Sequence, residues 1–238
     1  MLSFIIPTYN EEKYIERTLL NLKTLTLPHE VIVTDDKSTD GTVQIAKKNC
    51  DLVLVPEAKH ISAAANRNAG AKEAEGEFLV FTDSSCIFPN IDKFFGKALA
   101  NFEADSNLVA LIGKIGVWPE LETWSDRLVY FFFNWVHHLK NNVFHIGEAS
   151  GKFQMMRRST FDKVQGFNPN LVTCEDGDMF SRLAKIGRTM YDPELVILHA
   201  GRRAHTIGWP KLLWIWFVER SSYGLTGRSR VKEWKDIR

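Results

Sequence analysis

Cysteine is scarce in this chain: Cys50, Cys86 and Cys174 are the only three in 238 residues, and no CxxC pair occurs. An odd, sparse set argues against a disulfide framework or a zinc site and for a reduced, cytoplasmic compartment. Net charge is nearly absent too. Thirty Lys and Arg face 29 Asp and Glu, a formal charge of +1, so no global field favours nucleic acid as a partner. The local exception is the C-terminal end, where Arg228, Arg230, Lys232, Lys235 and Arg238 outnumber Glu233 and Asp236. No segment reaches the roughly 20 apolar residues of a membrane span. The opening MLSFIIPTYNEE lacks a basic leader region, and its apolar run is too short for a signal peptide; it reads as a buried strand. Neither GxGxxG nor GxxxxGK[ST] is present, so dinucleotide and P-loop readings lack their glycines. Repeats and low-complexity stretches are also missing.

What is present is ordinary for a globular protein, 45% hydrophobic and 25% charged. The length suits one large domain. The first hundred residues alternate. LSFII is an apolar run stopped by Pro7, and EEKYIERTLLNLK carries Tyr14, Ile15, Leu19 and Leu22 at a helical period. EVIVTDD is the next strand. STDGTVQIAKK offers Thr39 or Asp40 as a helix cap. DLVLV is a third strand, the Ala-rich ISAAANRNAGAKEAEG a helix closing on Gly76, and EFLVFTD a fourth strand. Continuous apolar strands separated by helices predict an α/β, Rossmann-like fold with a mostly parallel sheet. Ligands in such sheets bind at the carboxyl ends of the strands. Three runs end there in polar groups: Pro7-Thr8-Tyr9-Asn10, Asp35-Asp36 and Asp83-Ser84-Ser85. The second half predicts a strand ending near Trp118, an aromatic helix over 120–140, a strand and short helix in GKFQMMRRSTFDKVQGF, and a helix from about Asp176. Two short strands are expected around Asp192-Pro193.

Each polar cluster has a structural and a chemical reading. Asp36 can accept from a base or ribose, or Asp35-Asp36 can serve the following helix start. Glu175-Asp176 open a helix, where acids favour the macrodipole; alternatively one is a general base for an attacking hydroxyl. His199 follows an apolar strand just ahead of Arg202 and Arg203, which suit a diphosphate or plain surface charge. His137-His138 are read as helix surface, since metal ligands on a helix sit three or four apart.

Taken in order, five segments resemble the inverting nucleotide-sugar glycosyltransferases of family 2, with the GT-A fold. They are FIIPTYNEEKYIERTLLNL, EVIVTDDKSTDGT, ANRNAGAKEAEGEFLVFTDSS, GKFQMMRRSTFDKVQGF and CEDGDMFSRL, and they span roughly residues 2 to 200. The resemblance implies that Pro7, Thr8, Tyr9 and Glu11 line the base pocket and that Asp36 accepts from the base. It implies that Arg67, Asp83 and its neighbours Ser84 and Ser85 face the ribose and diphosphate. Asp176 becomes the base that activates an acceptor hydroxyl, with Glu175 orienting the acceptor. The donor is a UDP- or GDP-sugar. The acceptor is a glycan or lipid-linked sugar, in cell-envelope or polysaccharide synthesis.

The departure lies in VFTDSSC. The family pattern is Asp-x-Asp, whose last Asp holds Mn2+ or Mg2+, and here that position is Ser85, a poor ligand for a hard cation. Asp83 with His199 is the expected metal pair. Lys152, Arg202 and Arg203 are the alternative, neutralising the leaving group without metal. Residues 1–205 form the expected GT-A domain, and 206–238 an aromatic and basic helical segment. Within it GWPKLLWIWFVERSSYG fits a core helix, a homodimer interface, or peripheral contact with the inner face of the cell membrane. Two alternatives to a hydroxyl-directed transferase stay open. One is a polyprenyl-phosphate glycosyltransferase, the other a catalytically silent module that binds a nucleotide-sugar.

Overall fold

The structure is a computed structural model and describes residues 1–57 and 62–231. Three of the five basic residues of the C-terminal end, Lys232, Lys235 and Arg238, lie outside the described residues. The four predicted strands form as β1 (Leu2–Thr8), β2 (His29–Asp35), β3 (Leu52–Leu54) and β4 (Phe78–Thr82). Between them run α1 (Ile15–Lys23), α2 (Thr42–Asn49) and α3 (Ala63–Glu73). β5 (Cys86–Ile87), α4 (Ile91–Ala104), β6 (Leu108–Val117) and α5 (Trp124–His138) follow. A π-helical turn, Leu139–Val143, extends α5. Then come β7 (Phe153–Arg157), α6 (Arg158–Lys163), α7 (Glu175–Leu183), β8 (Arg188–His199), α8 (Arg202–Ile207) and α9 (Trp209–Thr226).

The strands make one mixed sheet in the order β3-β2-β1-β4-β7-β6-β8-β5. β1 pairs parallel with β2 and β4, β2 with β3, and β6 with β8; β7 is antiparallel to both neighbours, as β5 is to β8. β1 is therefore the switch point: the chain winds outward to β2 and β3, then returns to β4 on the other side. The loops after β1, β2 and β4 share one rim of the sheet, which opens as a crevice; the chain after β4 stays on the α1 side, where Thr18 Oγ1 donates to the Ser84 carbonyl oxygen at 2.8 Å. Strands here are apolar on both faces because both are covered. Phe4 and Ile6 join the cluster under α1 and α4, whereas Ile5 joins the opposite one with Ala64, Ala71, Phe161 and Phe180.

Several local expectations are corrected. Pro7 does not stop β1, which runs to Thr8. β4 pairs with β1 only as far as Ile5, so the missing N–H of Pro7 lies where that ladder has ended. Gly76 is not a helix cap, because α3 ends at Glu73. A Cβ on Gly76 would lie 2.5 Å from Ser3 Oγ and 2.8 Å from the Met1 carbonyl oxygen, so close approach is what it permits. The residue ahead of α2 is Gly41, and Asp40 instead accepts from Thr42 N at 3.0 Å. Asp192-Pro193 does not split a pair of strands. β8 is one strand of 12 residues, and an irregularity opposite Gly113 and Lys114 absorbs the proline.

α5 starts on a capping box: Thr123 Oγ1 accepts from Asp126 N at 3.2 Å, and Asp126 accepts from Thr123 N at 2.8 Å. The same buried carboxylate accepts from Trp209 Nε1 and faces His205 Nε2, both at 2.8 Å. This ties α8 and α9 to α5. Tyr130, Trp209 and Leu212 then pack on Ile115 and Val117 of β6. His137, expected on the surface, is buried against Phe133 and Tyr191; His138 is exposed. Tyr191 of β8 covers the helix face that carries His137. Burial lowers its pKa to about 4, so it is neutral.

Candidate active site

The crevice at the carboxyl ends of β1, β2 and β4 continues into a cavity of about 1120 Å³. Pro7, Thr8, Tyr9 and Glu11 line it from the β1 loop, Asp36 from the β2 loop, and Asp83, Ser84 and Ser85 from the β4 loop. Arg67 of α3, Glu175 and Asp176 of α7, His199 at the end of β8, and Arg202 and Arg203 of α8 complete it. The structure thus brings every sequence-predicted site residue to one cavity. Asp35 is not among them. It is fully buried and accepts from Thr8 Oγ1 at 3.0 Å and Ser38 N at 2.8 Å, which locks the β1 and β2 loops together.

At the floor is Arg67, only 2% exposed. Its Nη1 donates to Glu175 Oε1 at 2.9 Å and Asp176 Oδ1 at 3.0 Å, and its Nη2 lies 3.6 Å from Asp83 Oδ1. The guanidinium is thus engaged by protein carboxylates at the cavity wall. Gly151 makes room for it, since a Cβ there would sit 2.5 Å from Arg67 Nη2. Burial, and secondarily the Asp176 charge, pushes the Glu175 carboxyl above the usual range. Burial also raises Asp176, though Arg67 opposes it. The two carboxyls titrate as a pair, and at neutral pH the pair is easier to protonate than two solvated acids. α7 enters through Cys174, whose φ of +66° is unusual for a residue with a Cβ. That backbone turn aims the first two helical side chains at Arg67.

Gln154 of β7 escaped the sequence reading. Its Nε2 donates to Asp176 Oδ1 at 2.5 Å. A lone amide inside the apolar run FQMM was the available signal. Both bonds to Asp176 fall on Oδ1, so among the described residues Oδ2 is the oxygen left to take a proton. Lys152 Nζ contacts Asp83 Oδ2 at 2.6 Å. Burial would raise the Asp83 pKa, but Lys152 and Arg67 outweigh it and hold the carboxylate low. Arg202 grips Glu11 through two bonds, one of 2.6 Å, and lies over the Tyr14 ring. Glu11 is thereby a support for Arg202. Arg203, half-buried beside Arg202, is pushed down to about 10 by burial and then by its neighbour's charge.

These donors do not fit the expected divalent cation. A hard cation wants several anionic or neutral oxygens, or a free imidazole lone pair. Asp83 is already paired with Lys152, and Ser85 is a hydroxyl. His199 Nδ1 accepts from Gly201 N at 3.1 Å, so the proton sits on Nε2, which faces Tyr130 Oη at 2.6 Å. Burial, with Lys152 secondary, keeps the ring neutral. Both nitrogens thus have partners within the protein, as does the Asp83 carboxylate. Among the described residues no three His, Cys, Asp or Glu side chains converge as a metal cluster.

The family description Glycosyl transferase family 2 matches residues 3–165, and the chain belongs to that family. Among curated relatives, the poly(ribitol-phosphate) beta-N-acetylglucosaminyltransferase TarS of Staphylococcus aureus is 42% identical over 89 residues. That match covers 34% of this chain and 16% of TarS. The O-antigen chain rhamnosyltransferase WbaN of Salmonella anatum is 26% identical over 210 residues, 83% of this chain and 65% of WbaN. The chain thus spans well under two thirds of TarS and a little under two thirds of WbaN. Among solved structures, S. aureus TarS 1-349 in complex with UDP-GlcNAc matches with TM-score 0.65 and 25% identity, over 82% of this chain and 57% of that one. The mannosyltransferase PcManGT of Pyrobaculum calidifontis, in complex with GDP-Man and Mn2+, shares the fold with TM-score 0.67 and 24% identity, over 84% and 56%. The fold is that of the GT-A glycosyltransferases.

Proposed function

We propose that this chain transfers a sugar from a UDP- or GDP-sugar to an acceptor hydroxyl with inversion, in the synthesis of a cell-envelope or other polysaccharide. The observation that carries the reading is the buried Glu175–Asp176 pair, held by Arg67 and set in the same cavity as Asp83. The names of the relatives, which act on poly(ribitol-phosphate) and O-antigen chains, support the glycan class.

The donor's base and ribose lie against Pro7–Glu11 and Asp36, and its diphosphate toward Lys152 and Arg203. The acceptor hydroxyl gives its proton to Asp176 Oδ2 while its oxygen forms the bond to the anomeric carbon. The bond from that carbon to the diphosphate breaks, and its electron pair leaves on the diphosphate oxygen. Lys152 and Arg203 meet that charge in a partly desolvated site, where preorganised cations are most effective. Burial, with the Asp83 charge behind it, lifts the proton affinity of Asp176 against the opposing pull of Arg67. A phosphate acceptor needs no base, so the Asp176 geometry favours a hydroxyl. Incubation with UDP- and GDP-sugars and glycan acceptors tests this. Asp176→Asn is expected to bind UDP or GDP normally and to lose turnover by about 10²–10⁴-fold. Unchanged turnover would shift the reading to a phosphate acceptor, and donor binding without any turnover in the parent chain to a silent module.

A further inference from the structure

α5 and α9 turn large apolar side chains to solvent. Trp124, Leu128, Phe131 and Trp135 recur along α5 at a spacing that keeps them on one face, with exposures of 74%, 42%, 66% and 55%. Trp214 and Phe217 stack on one another on α9, each 63% exposed, and Leu213 is beside them. The two helices meet through Phe133 and Trp216, whose rings are 5.2 Å apart, and the exposed Phe132 and Val136 carry the apolar surface of α5 round from that stripe toward the contact. A contiguous apolar surface of this kind marks an interaction site.

Charge identifies the partner. Between Thr123 and Ile146 the only carboxylate is Asp126, and between Trp209 and Val231 the only one is Glu219. Both are buried and hydrogen-bonded inside the protein, Asp126 by Trp209 Nε1 and Glu219 by Thr173 Oγ1 at 2.8 Å. The exposed charges on these segments are therefore all positive: Lys211, Arg228 and Arg230, with Arg127 paired to Glu122 just outside. A second copy seated by two-fold symmetry would set these cations against themselves. A bilayer with anionic headgroups takes both the cations and the aromatic side chains.

We propose that the α5–α9 face lies on an anionic lipid surface and presents the cavity mouth to a lipid-linked acceptor. Val136, Leu213 and Phe217 belong to the exposed face and also line the cavity. The cavity therefore opens at the edge of the docking face, with an apolar threshold between the two. The acceptor part rests on the transferase reading; the docking part does not.

The test is co-sedimentation of the full chain with phosphatidylglycerol-containing vesicles and with phosphatidylcholine vesicles. Binding to the anionic vesicles, weakened by added salt, is expected. Lys211→Glu with Arg228→Glu should weaken it about tenfold or more, and Phe131→Ser with Trp214→Ser by a comparable factor. Both doublets should keep the parent's melting temperature and UDP or GDP affinity. Absence of vesicle binding, or equal binding by parent and both doublets, would overturn the proposal. So would a parent that sediments as a dimer without lipid while the doublets sediment as monomers, which would assign the face to a second copy. A vesicle-bound chain without turnover would count against the transferase reading alone.

Discussion

Arg67→Met removes the one cation among the described residues that touches both Glu175 and Asp176 and leaves a side chain of similar reach. At about 3 Å and an effective dielectric constant of 20, each contact carries on the order of 5 kcal/mol of Coulomb attraction before desolvation is subtracted. Breaking one partner of a buried ionic cluster costs about 3–5 kcal/mol, because the remaining charges stay buried and unpaired. For a chain of this size that lowers the melting temperature by roughly 10 °C. The loss should depend on pH. Glu175 and Asp176 already have raised pKa values in the folded protein. Between the ordinary carboxylate range and the raised values, the folded chain holds protons that the unfolded chain has released, so stability falls as pH rises through that window. Without Arg67 the native pKa values rise further, and protonation at low pH relieves the repulsion. Scanning calorimetry of parent and variant at pH 5 and pH 8 should show a much larger deficit at pH 8. Equal deficits at the two values would mean that Arg67 acts by packing, and the electrostatic account of the floor would be wrong.

The remaining expectations concern neighbouring residues. Gly151→Ala should push the Arg67 guanidinium aside, costing about 1–3 kcal/mol of stability with the same sign of pH dependence, measured by the same scans. Because Asp83 is paired with Lys152 and His199 has both nitrogens engaged, calorimetric titration of UDP or GDP should give the same affinity with Mn2+ and with chelator; a strict Mn2+ requirement would refute Lys152 as the counter-cation. Lys152→Ala should weaken the same titration by about ten- to a hundredfold, the size of a lost charge-assisted hydrogen bond. Turnover should rise with pH through a value above the ordinary carboxylate range, because Asp176 is raised and must be deprotonated to act; a profile flat from pH 5 to 8 would remove it as the base.

Local chemistry was enough to place much of this protein. Alternating apolar runs and helical periods located β1 to β4 and α1 to α3, because strands covered on both faces must be continuously apolar. Polar residues at the ends of those runs, Thr8, Asp36 and Asp83, marked the rim that lines the cavity, because the strands' carboxyl ends meet there. What the chain order could not carry was the pairing of residues distant in sequence. Arg67 lies 108 residues from Glu175, and their 2.9 Å contact puts the arginine beneath a carboxylate pair. Lys152 meets Asp83 across 69 residues, and Tyr130 meets His199 across another 69, which gives both expected metal ligands partners within the protein. Whether His137 was surface or core depended on Tyr191 of β8 packing against α5, a contact that no local period encodes. Periodicity decides which faces are apolar. Only the packed structure decides which charge neutralises which, since that depends on distances set by the whole sheet.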